Sequence, residues 1–436
     1  MAKVENERHN GRLIVLNGGL MQFAMSFVSS ETIIPAFIQM LTGSSVLVGL
    51  ARSMIQVGWA WPQILISWLI EKRERKVPLL IWVGMIHAAS WCVLGAAIWY
   101  LAGKHPFVVL GVFIAMYAMI TALMGVFNVA WMDLVGKTVP QGSRARVLAL
   151  RRMIGGGLAI ASGGVIAYIL SERSGLGFPR DYAVIFLIAA GLYAIAYATF
   201  TLIREPVEPV RRSREPIRSY LASGLRLLKE DGDYRRLFAL RYLWATAMMG
   251  TSFYVPFAIS DLGMSVVYIG LFVSVSQASS VLSNAFWARI GDRKGSRALL
   301  MYGTYFLTGS LLIPLSTPMV PDLMIQPLAV LGLPFGISVQ VLYFSLTFIC
   351  NSFANSGMAT GRMALVLDLA PADRRPTYTS FINTLGAPQG LLPILGGALA
   401  AWLSYRDMFL ISLIFIPPAI VLARRIRLGQ CAGSVL

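Results

Sequence analysis

Hydrophobic residues along the chain gather in long runs that are separated by short polar stretches. A helix of about 20 apolar residues crosses the roughly 30 Å hydrocarbon layer of a membrane. The sequence holds twelve runs of this kind, which we number spans 1 to 12. They cover residues 13–38, 46–70, 77–101, 107–134, 147–170, 182–203, 237–260, 265–287, 298–316, 340–368, 378–403 and 407–424. The pattern predicts an all-α polytopic membrane protein with twelve transmembrane helices.

Two longer connections interrupt the series of spans. The stretch 317–338 is rich in Pro and Gly, and it is either an extended outer loop or a re-entrant segment. The stretch 204–236 starts as a basic, turn-rich sequence and continues as an amphipathic helix, with Leu221, Leu225 and Leu228 at helical spacing. We interpret it as a linker helix at the membrane surface, and a site for a regulatory partner is the alternative. The predicted domains are residues 1–203, the linker 204–236, and residues 237–436.

The composition agrees with a membrane protein. Of the 436 residues, 57% are hydrophobic and 13% are charged, whereas a soluble domain carries about 25% charged residues. Disordered, collagen-like and disulfide-scaffold proteins are excluded on this basis. The three cysteines and three histidines have neither metal-ligand nor disulfide spacing, so we expect no metal and no cofactor. The polar start of the chain lacks the apolar region of a signal peptide.

The net charge of +17 is distributed unevenly between the two predicted membrane faces. Loops on the side of both termini hold most of the 37 Lys and Arg residues, and the opposite loops hold Lys104, Arg173, Arg180 and Arg406. Because cytoplasmic loops accumulate Lys and Arg, both termini are expected in the cytoplasm. Topology therefore explains the charge, and we expect no nucleic-acid partner.

Landmarks of the first half of the chain recur 221 residues later. Gln56 matches Gln277, and Pro35 near the end of span 1 matches Pro256 near the end of span 7. Two six-helix halves in the same orientation are parallel repeats, and transporters built in this way bind substrate near the membrane midplane at the repeat interface. The repeat therefore favours a transporter.

The loops after spans 2 and 8 carry two copies of one charged motif. The second copy, Ala288 to Arg297, reads A-R-I-G-D-R-K-G-S-R, and the first copy, Ser67 to Lys76, reads S-W-L-I-E-K-R-E-R-K. Together with the twelve spans, these copies resemble the pattern G-x-L-A-D-R-x-G-R-R of the major facilitator superfamily. The resemblance covers essentially the whole chain, although the first copy has Glu74 in place of the internal Gly. It implies the superfamily fold of two parallel six-helix repeats.

The resemblance implies gating by charges at the inner helix ends, which pair in one conformation and separate in the other. Asp133, at the inner end of span 4, is expected to pair with Arg151 or Arg152 at the start of span 5. Span 4 has no Arg in its body and span 5 lacks the Gly-Pro of the antiporter motif, so import and export both stay open. The expected gating residues are Glu71, Lys72, Arg75, Asp133, Arg144, Arg151, Arg152, Asp292, Arg293, Arg297 and Arg375.

In the superfamily fold, spans 1, 4, 7 and 10 line the substrate cavity, and spans 2, 5, 8 and 11 flank it. The resemblance therefore places a set of polar and aromatic residues at the cavity. For each of them, a hydrogen bond between neighbouring helices is the alternative. The candidates are Asn17, Gln22, Ser26, Ser30, Gln56, Trp59, Asn128, Trp131, Trp244, Tyr254, Gln277, Asn284, Asn351, Asn355, Arg362 and Asn383.

Placing an ionisable side chain inside a membrane span costs free energy, so such residues are candidates for a functional role. Glu31 in span 1 and Arg52 in span 2 both lie roughly 10 Å below the outer face, so they can pair. Such a pair is a structural ion pair, a proton site in which Glu31 titrates as Arg52 moves, or a direct contact to substrate. Arg362 in span 10 needs a carboxylate, water or an anionic substrate. Arg241 is expected to extend its head group to the inner surface, and His87 in span 3 is expected to be packed.

These features predict a secondary active transporter of the inner membrane that moves a small, amphipathic organic solute by alternating access. Proton coupling is a hypothesis, and the expected partners are the solute, the lipid bilayer and, under that hypothesis, protons. We expect a monomer without enzymatic activity, because enzymes in this setting need carboxylates or histidines clustered at a membrane face. The other alternative is a non-transporting sensor or assembly factor of the same fold.

Overall fold

The computed structural model describes residues 2–71, 74–207, 229, 231–325, 337–369, 382 and 386–426. Fourteen α-helices lie in these ranges, and we label them α1 to α14. They are α1 (Ala2–Phe27), α2 (Ile33–Thr42), α3 (Ser45–Glu71), α4 (Val77–Leu101), α5 (Pro106–Thr138), α6 (Gln141–Ile169), α7 (Arg180–Ala198), α8 (Gly232–Ala247), α9 (Tyr254–Ser260), α10 (Tyr268–Ser316), α11 (Val339–Leu369), α12 (Leu392–Trp402), α13 (Tyr405–Ile414) and α14 (Ile416–Arg425). The predicted all-α fold class is confirmed.

Several described helices match the apolar spans closely. Six helical segments of the described chain are long and apolar enough to cross a membrane. They are Val77–Leu101, Pro106–Thr138, Gly142–Ile169, Arg180–Leu202, Tyr268–Met319 and Tyr405–Arg425. The membrane face on which the termini lie stays a prediction.

Spans 1 and 7 are each broken into two helices at equivalent positions. A turn at residues 28–32 separates α1 from α2, and a 3-10 segment at Met248–Phe253 separates α8 from α9. The outer helices α2 and α9 begin 221 residues apart, which is the offset of the sequence repeat. The third residue of each is a proline, Pro35 or Pro256, and a proline ring clashes with the carbonyl four residues earlier in a continuous helix. The two prolines therefore explain why both spans break and restart.

Helix α10 contains spans 8 and 9 together. Its 49 residues would extend roughly 74 Å if they were straight, which is more than twice the hydrocarbon thickness. The chain turns instead at Gly295, where φ is 75° and ψ is 177°. Residues with a Cβ rarely adopt this conformation. The internal glycine of the second motif copy therefore forms the turn between two spans.

Contacts divide the chain into two compact units. Unit 1 consists of Met1–Arg212 and Ser252–Val281, and unit 2 consists of Ser213–Thr251 and Leu282–Leu436. Unit 1 thus contains the outer helix of span 7 and the first part of span 8 in addition to the first-half helices. The predicted domain boundaries, which follow the order of the chain, stay a prediction.

Aromatic rings from α2, α4, α5 and α7 fill the interior of unit 1. Phe37 contacts Phe113 and Phe186, with ring centroids 5.7 and 5.4 Å apart. His87 is buried, its Nδ1 lies 3.2 Å from the hydroxyl of Tyr197, and its ring packs edge-on against Tyr193. The prediction of a packed histidine in span 3 is confirmed.

The two longer connections are described only in part. Strand β1 (Met324–Ile325) pairs antiparallel with strand β2 (Ile337–Ser338), so the described ends of the 317–338 connection lie side by side. The leucines that predict an amphipathic linker helix, Leu221, Leu225 and Leu228, lie outside the described residues.

Candidate functional site

The break in span 1 places Ser30 and Glu31 beside Arg52 of α3. Arg52 Nη2 lies 3.3 Å from Glu31 Oε1, and Arg52 Nη1 donates a hydrogen bond to Ser30 Oγ over 2.6 Å. The side chains of Arg52 and Glu31 retain 16% and 28% exposure. Because the pair is neither fully buried nor fully solvated, it combines a strong attraction with access to water. The expected pair is therefore formed, and its role stays a prediction.

The second half of the chain has the same break without the ion pair. At an offset of 221 residues, Thr251 and Ser252 correspond to Ser30 and Glu31, and Val273 corresponds to Arg52. Thr251 Oγ1 donates to the carbonyl oxygen of Met248 over 2.9 Å. The break in span 7 therefore forms without a charged pair, so a helix break at this position does not require one.

Three elements of unit 1 meet in a charged cluster at the predicted inner face. Asp133 of α5 lies 3.7 Å from Lys76 Nζ and 3.3 Å from Lys137 Nζ. Lys137 is also 3.9 Å from Glu205, which follows span 6. Burial lowers the pKa of the Lys76 ammonium, and Asp133 and Glu205 oppose this shift. The two carboxylates therefore favour the charged form of a buried lysine.

Glu205 anchors the start of the linker to the N-terminus of α4. Its carboxylate accepts the backbone N–H groups of Lys76 and Val77 over 2.7 to 2.9 Å. A carboxylate at a helix N-terminus satisfies unpaired donors and interacts favourably with the helix dipole. Glu205 is not among the residues predicted from the sequence, because it lies in the predicted linker 204–236.

The expected pairing of Asp133 with Arg151 or Arg152 is wrong. The Arg151 guanidinium stacks instead on the Trp131 ring, 4.2 Å from the ring centroid, and Arg152 is exposed. Positions 131 and 133 lie on different sides of a helix, because successive residues are about 100° apart. Arg151 therefore reaches the side of α5 that carries Trp131, and Asp133 pairs with lysines on the other side.

The remaining gating candidates make local contacts or are exposed. Arg144 Nη2 donates to the carbonyl oxygens of Gly136 and Val139, at the C-terminus of α5. Arg297 Nε donates to the carbonyl oxygen of Ala423 over 3.3 Å. The exposed candidates are Arg75, Asp292 and Arg293. The Glu71 side chain, Lys72 and Arg375 lie outside the described residues.

Several cavity candidates form hydrogen bonds between helices. Asn17 is buried and its Nδ2 donates to the Ala196 carbonyl oxygen over 2.7 Å. Trp244 Nε1 donates to Thr304 Oγ1 over 2.9 Å. For Asn17 and Trp244, the structure therefore shows the packing alternative.

Other candidates differ in their exposure to solvent. Gln22 Nε2 donates to Gln277 Oε1 over 3.3 Å in unit 1. Ser26, Trp131, Tyr254 and Asn351 are buried, Asn128 and Asn355 are half-buried, and Gln56, Trp59 and Asn284 are exposed. Asn383 lies outside the described residues.

Arg241 of α8 turns toward span 11 and not toward the inner surface. Its Nε donates to Gln389 Oε1 over 2.9 Å, and its Nη1 donates to the carbonyl oxygen of Ile382. The expectation that Arg241 extends its head group to the surface is therefore wrong. A neutral amide and a backbone carbonyl within unit 2 serve as the acceptors of this guanidinium.

Within unit 1, the segments of spans 7 and 8 at the predicted outer face contact helices of the first half. Gln39 Nε2 of α2 donates to Ser260 Oγ of α9 over 3.0 Å, and these residues are separated by the repeat offset of 221. Ser274 Oγ of α10 donates to the carbonyl oxygen of Ile160 in α6 over 2.8 Å. Equivalent positions that face each other are expected at a twofold axis, so the Gln39–Ser260 contact agrees with the repeat.

Two glycines allow α6 and α10 to approach each other closely. A Cβ added at Gly163 would overlap the carbonyl oxygen of Gly270, and a Cβ added at Gly270 would overlap the carbonyl oxygen of Gly163. We call the Gln39–Ser260, Ser274–Ile160 and Gly163–Gly270 contacts the outer contact. The 221-residue spacing of Gln39 and Ser260, which equals the repeat offset, is the sequence signal for this contact.

Comparisons with known proteins agree with these observations. A sequence model of the Major Facilitator Superfamily matches residues 16–349. An uncharacterized protein of Mycobacterium tuberculosis, Rv2209, is 23% identical over 393 residues, which are 89% of this chain and 70% of that protein. A Lactococcus lactis protein named as a multi-drug resistance efflux pump PmrA homolog is 24% identical over 245 residues, 54% of this chain and 53% of that protein. The structure of the nucleoside transporter NupG is similar with a TM-score of 0.65 at 15% identity, covering 95% of this chain and 98% of that chain.

Proposed function

The chain belongs to the Major Facilitator Superfamily and is a multi-pass membrane transporter, and on that premise we propose that it moves a small, amphipathic organic solute by alternating access. The proposed location is the cytoplasmic membrane, and the proposed working form is a monomer. The observation that carries the mechanism is the outer contact of unit 1, which joins helices from both sequence repeats.

The interactions in the outer contact are weak enough to form and separate reversibly. It consists of two single hydrogen bonds and a glycine-to-glycine approach. A net hydrogen bond contributes only about 1 kcal/mol, whereas separating a buried ion pair costs several kcal/mol. We therefore assign the outer contact to the conformation that is closed on the outer side.

The solute class follows from the cavity candidates that stay accessible. Gln56 and Trp59 of α3 are exposed and lie three residues apart on one helix, so they offer an amide group and an aromatic ring on neighbouring turns. Such a combination suits a solute with an apolar body and a few polar groups. The name of the Lactococcus lactis relative, a multi-drug resistance efflux pump homolog, agrees with an amphipathic solute.

Proton coupling through Glu31 is the finer part of the proposal. Glu31 and Arg52 lie at a helix break that the second repeat reproduces without charges. We propose that Glu31 carries the proton and that the Glu31 carboxylate and the Arg52 guanidinium separate when the proton is transferred. In this account, the moving pair links protonation to the conformational change.

Replacing Glu31 by Gln should remove the pH dependence of transport while transport itself continues, because Gln keeps the shape and cannot titrate. A thermal-shift panel of metabolites and drugs at pH 5.5 and 7.5 first identifies a solute that stabilises the protein. Counterflow of that solute in proteoliposomes is then measured at both pH values. Glu172→Gln, an exposed carboxylate in the loop before α7, is the matched control.

Two results would count against the proposal. Unchanged pH dependence in Glu31→Gln would reject Glu31 as the coupling residue. A solute that binds and shows no counterflow would reject transport of that solute and favour a sensor of the same fold.

A further inference from the structure

Unit 2 holds a cluster of hydrogen-bond donors near the predicted inner ends of spans 7, 10 and 11. Arg241 lies on α8, Arg362 lies on α11, and Gln389 precedes α12. By their positions in the predicted spans, both arginines lie within roughly 10 Å of the inner face. Arg241 contacts Gln389 directly, and α8, which carries Arg241, packs against α11, which carries Arg362.

The amide of Gln389 has a fixed orientation that leaves its donor side unsatisfied. Its Oε1 accepts a hydrogen bond from Arg241 Nε over 2.9 Å. The opposite orientation would direct the amide N–H groups at a guanidinium, which is itself only a donor. Gln389 is 6% exposed, and its buried Nε2 has no acceptor in the described structure. A buried donor without an acceptor lowers the stability of the fold. An acceptor that binds at this position would therefore be favourable.

The guanidinium of Arg362 is a second donor group without an acceptor. No hydrogen bond or ion pair engages Arg362 within the described ranges. Its helix α11 packs against α8, the helix that carries Arg241, so two positive charges lie on neighbouring helices of unit 2. A charged side chain inside a membrane span normally pairs with an opposite charge or faces water. Arg362 and Gln389 therefore give the cluster a positive charge and hydrogen-bond donors that have no acceptor among the described residues.

We propose that Arg241, Arg362 and Gln389 bind an anionic group, a carboxylate or phosphate, of the transported solute. A carboxylate or phosphate oxygen accepts hydrogen bonds from guanidinium groups in bidentate geometry. It would satisfy Gln389 Nε2 and neutralise positive charge of the arginines in one step. This inference rests on the proposed transport function and narrows its solute class to amphipathic anions.

The test compares anions with their neutral analogues on the purified full-length protein in phosphatidylcholine nanodiscs. Benzoate, octanoate and phenyl phosphate should raise the melting temperature with dose, and benzamide and octanamide should not. Inorganic phosphate and nanodiscs containing phosphatidylglycerol separate a solute from a free phosphate ion or a lipid headgroup. Loss of one guanidinium contact in Arg362→Gln should weaken anion binding by about 10- to 100-fold.

Two further variants keep the test decisive. Gln389→Glu supplies an internal carboxylate, so it should raise the melting temperature without ligand and abolish the shift caused by anions. Arg424→Gln removes an exposed charge at the end of α14 and should leave the anion-induced shift unchanged.

Four outcomes would overturn the inference. Equal shifts from anions and their amides would show that charge is not recognised. A lower melting temperature of Gln389→Glu without ligand would show that the cluster has no excess of positive charge. Stabilisation by phosphatidylglycerol alone would assign the cluster to lipid. Counterflow of a neutral solute that no anion inhibits would reject the anion site and leave the proposed transport function standing.

Discussion

Gly163→Val is expected to open the outer side of the protein and to impair transport. Any Cβ at position 163 would overlap the carbonyl oxygen of Gly270 and the side chain of Ser274. Overpacking of this kind typically costs about 1–3 kcal/mol. If this cost falls on the conformation that holds the outer contact, the balance shifts toward the open conformation by about 10- to 100-fold.

The shift can be measured by thiol labelling. Gln277→Cys, placed in a chain whose three cysteines are replaced by Ser, lies deeper along span 8 than the outer contact. A membrane-impermeant maleimide added from the outer side should label it at least about tenfold faster when Gly163→Val is present. Gly164→Val is the matched control, because a Cβ at the neighbouring Gly164 has open space around it. Equal labelling rates in both glycine variants would show that the Gly163–Gly270 approach does not control access.

Arg52→Leu is expected to cause the largest loss of stability among the charge changes. It leaves the Glu31 carboxylate, which is 28% exposed, without its guanidinium partner. Breaking a buried pair by removing one partner costs about 3–5 kcal/mol, and partial exposure places the expected loss near the lower end of this range. Thermal unfolding of the purified protein measures the effect.

The double variant Glu31→Gln with Arg52→Gln removes both charges. It therefore distinguishes the cost of an unpaired carboxylate from the loss of the ion pair itself. Since neutral amides can hydrogen-bond without a charge, the double variant should recover most of the stability lost in Arg52→Leu. Arg406→Leu removes an exposed arginine at the start of α13 and should leave the melting temperature almost unchanged. An equal loss in Arg406→Leu and Arg52→Leu would contradict a specific role of the Glu31–Arg52 pair.

The apolar pattern predicts whole helices well because membrane thickness fixes their length. Span 3 was placed at 77–101, and α4 covers Val77–Leu101. The sequence also located Pro35 and Pro256 as repeat landmarks, although it did not predict that both spans break there. A proline near a span end is compatible with a kink or a restart, and neighbouring helices decide between them.

Side-chain partners were harder to predict than helices. Lys137 lies four residues after Asp133, so their contact follows from helical spacing. Lys76 and Glu205 join the same cluster from other elements, and their positions depend on how α4, α5 and the end of span 6 pack together. A single sequence indicates which residues share one face of a helix, but it does not indicate which other helix packs against that face. For this reason the partner predicted for Asp133 was wrong.

Reversible cross-linking of the outer contact tests alternating access most directly. Gln39→Cys and Ser260→Cys are introduced into the cysteine-free chain, because the native side chains lie 3.0 Å apart. A short bifunctional thiol reagent then joins them in proteoliposomes. Counterflow of a solute found in the thermal-shift panel should stop on cross-linking and return after reduction, and each single-cysteine variant should be unaffected. Counterflow that continues at its original rate in fully cross-linked protein would contradict the account.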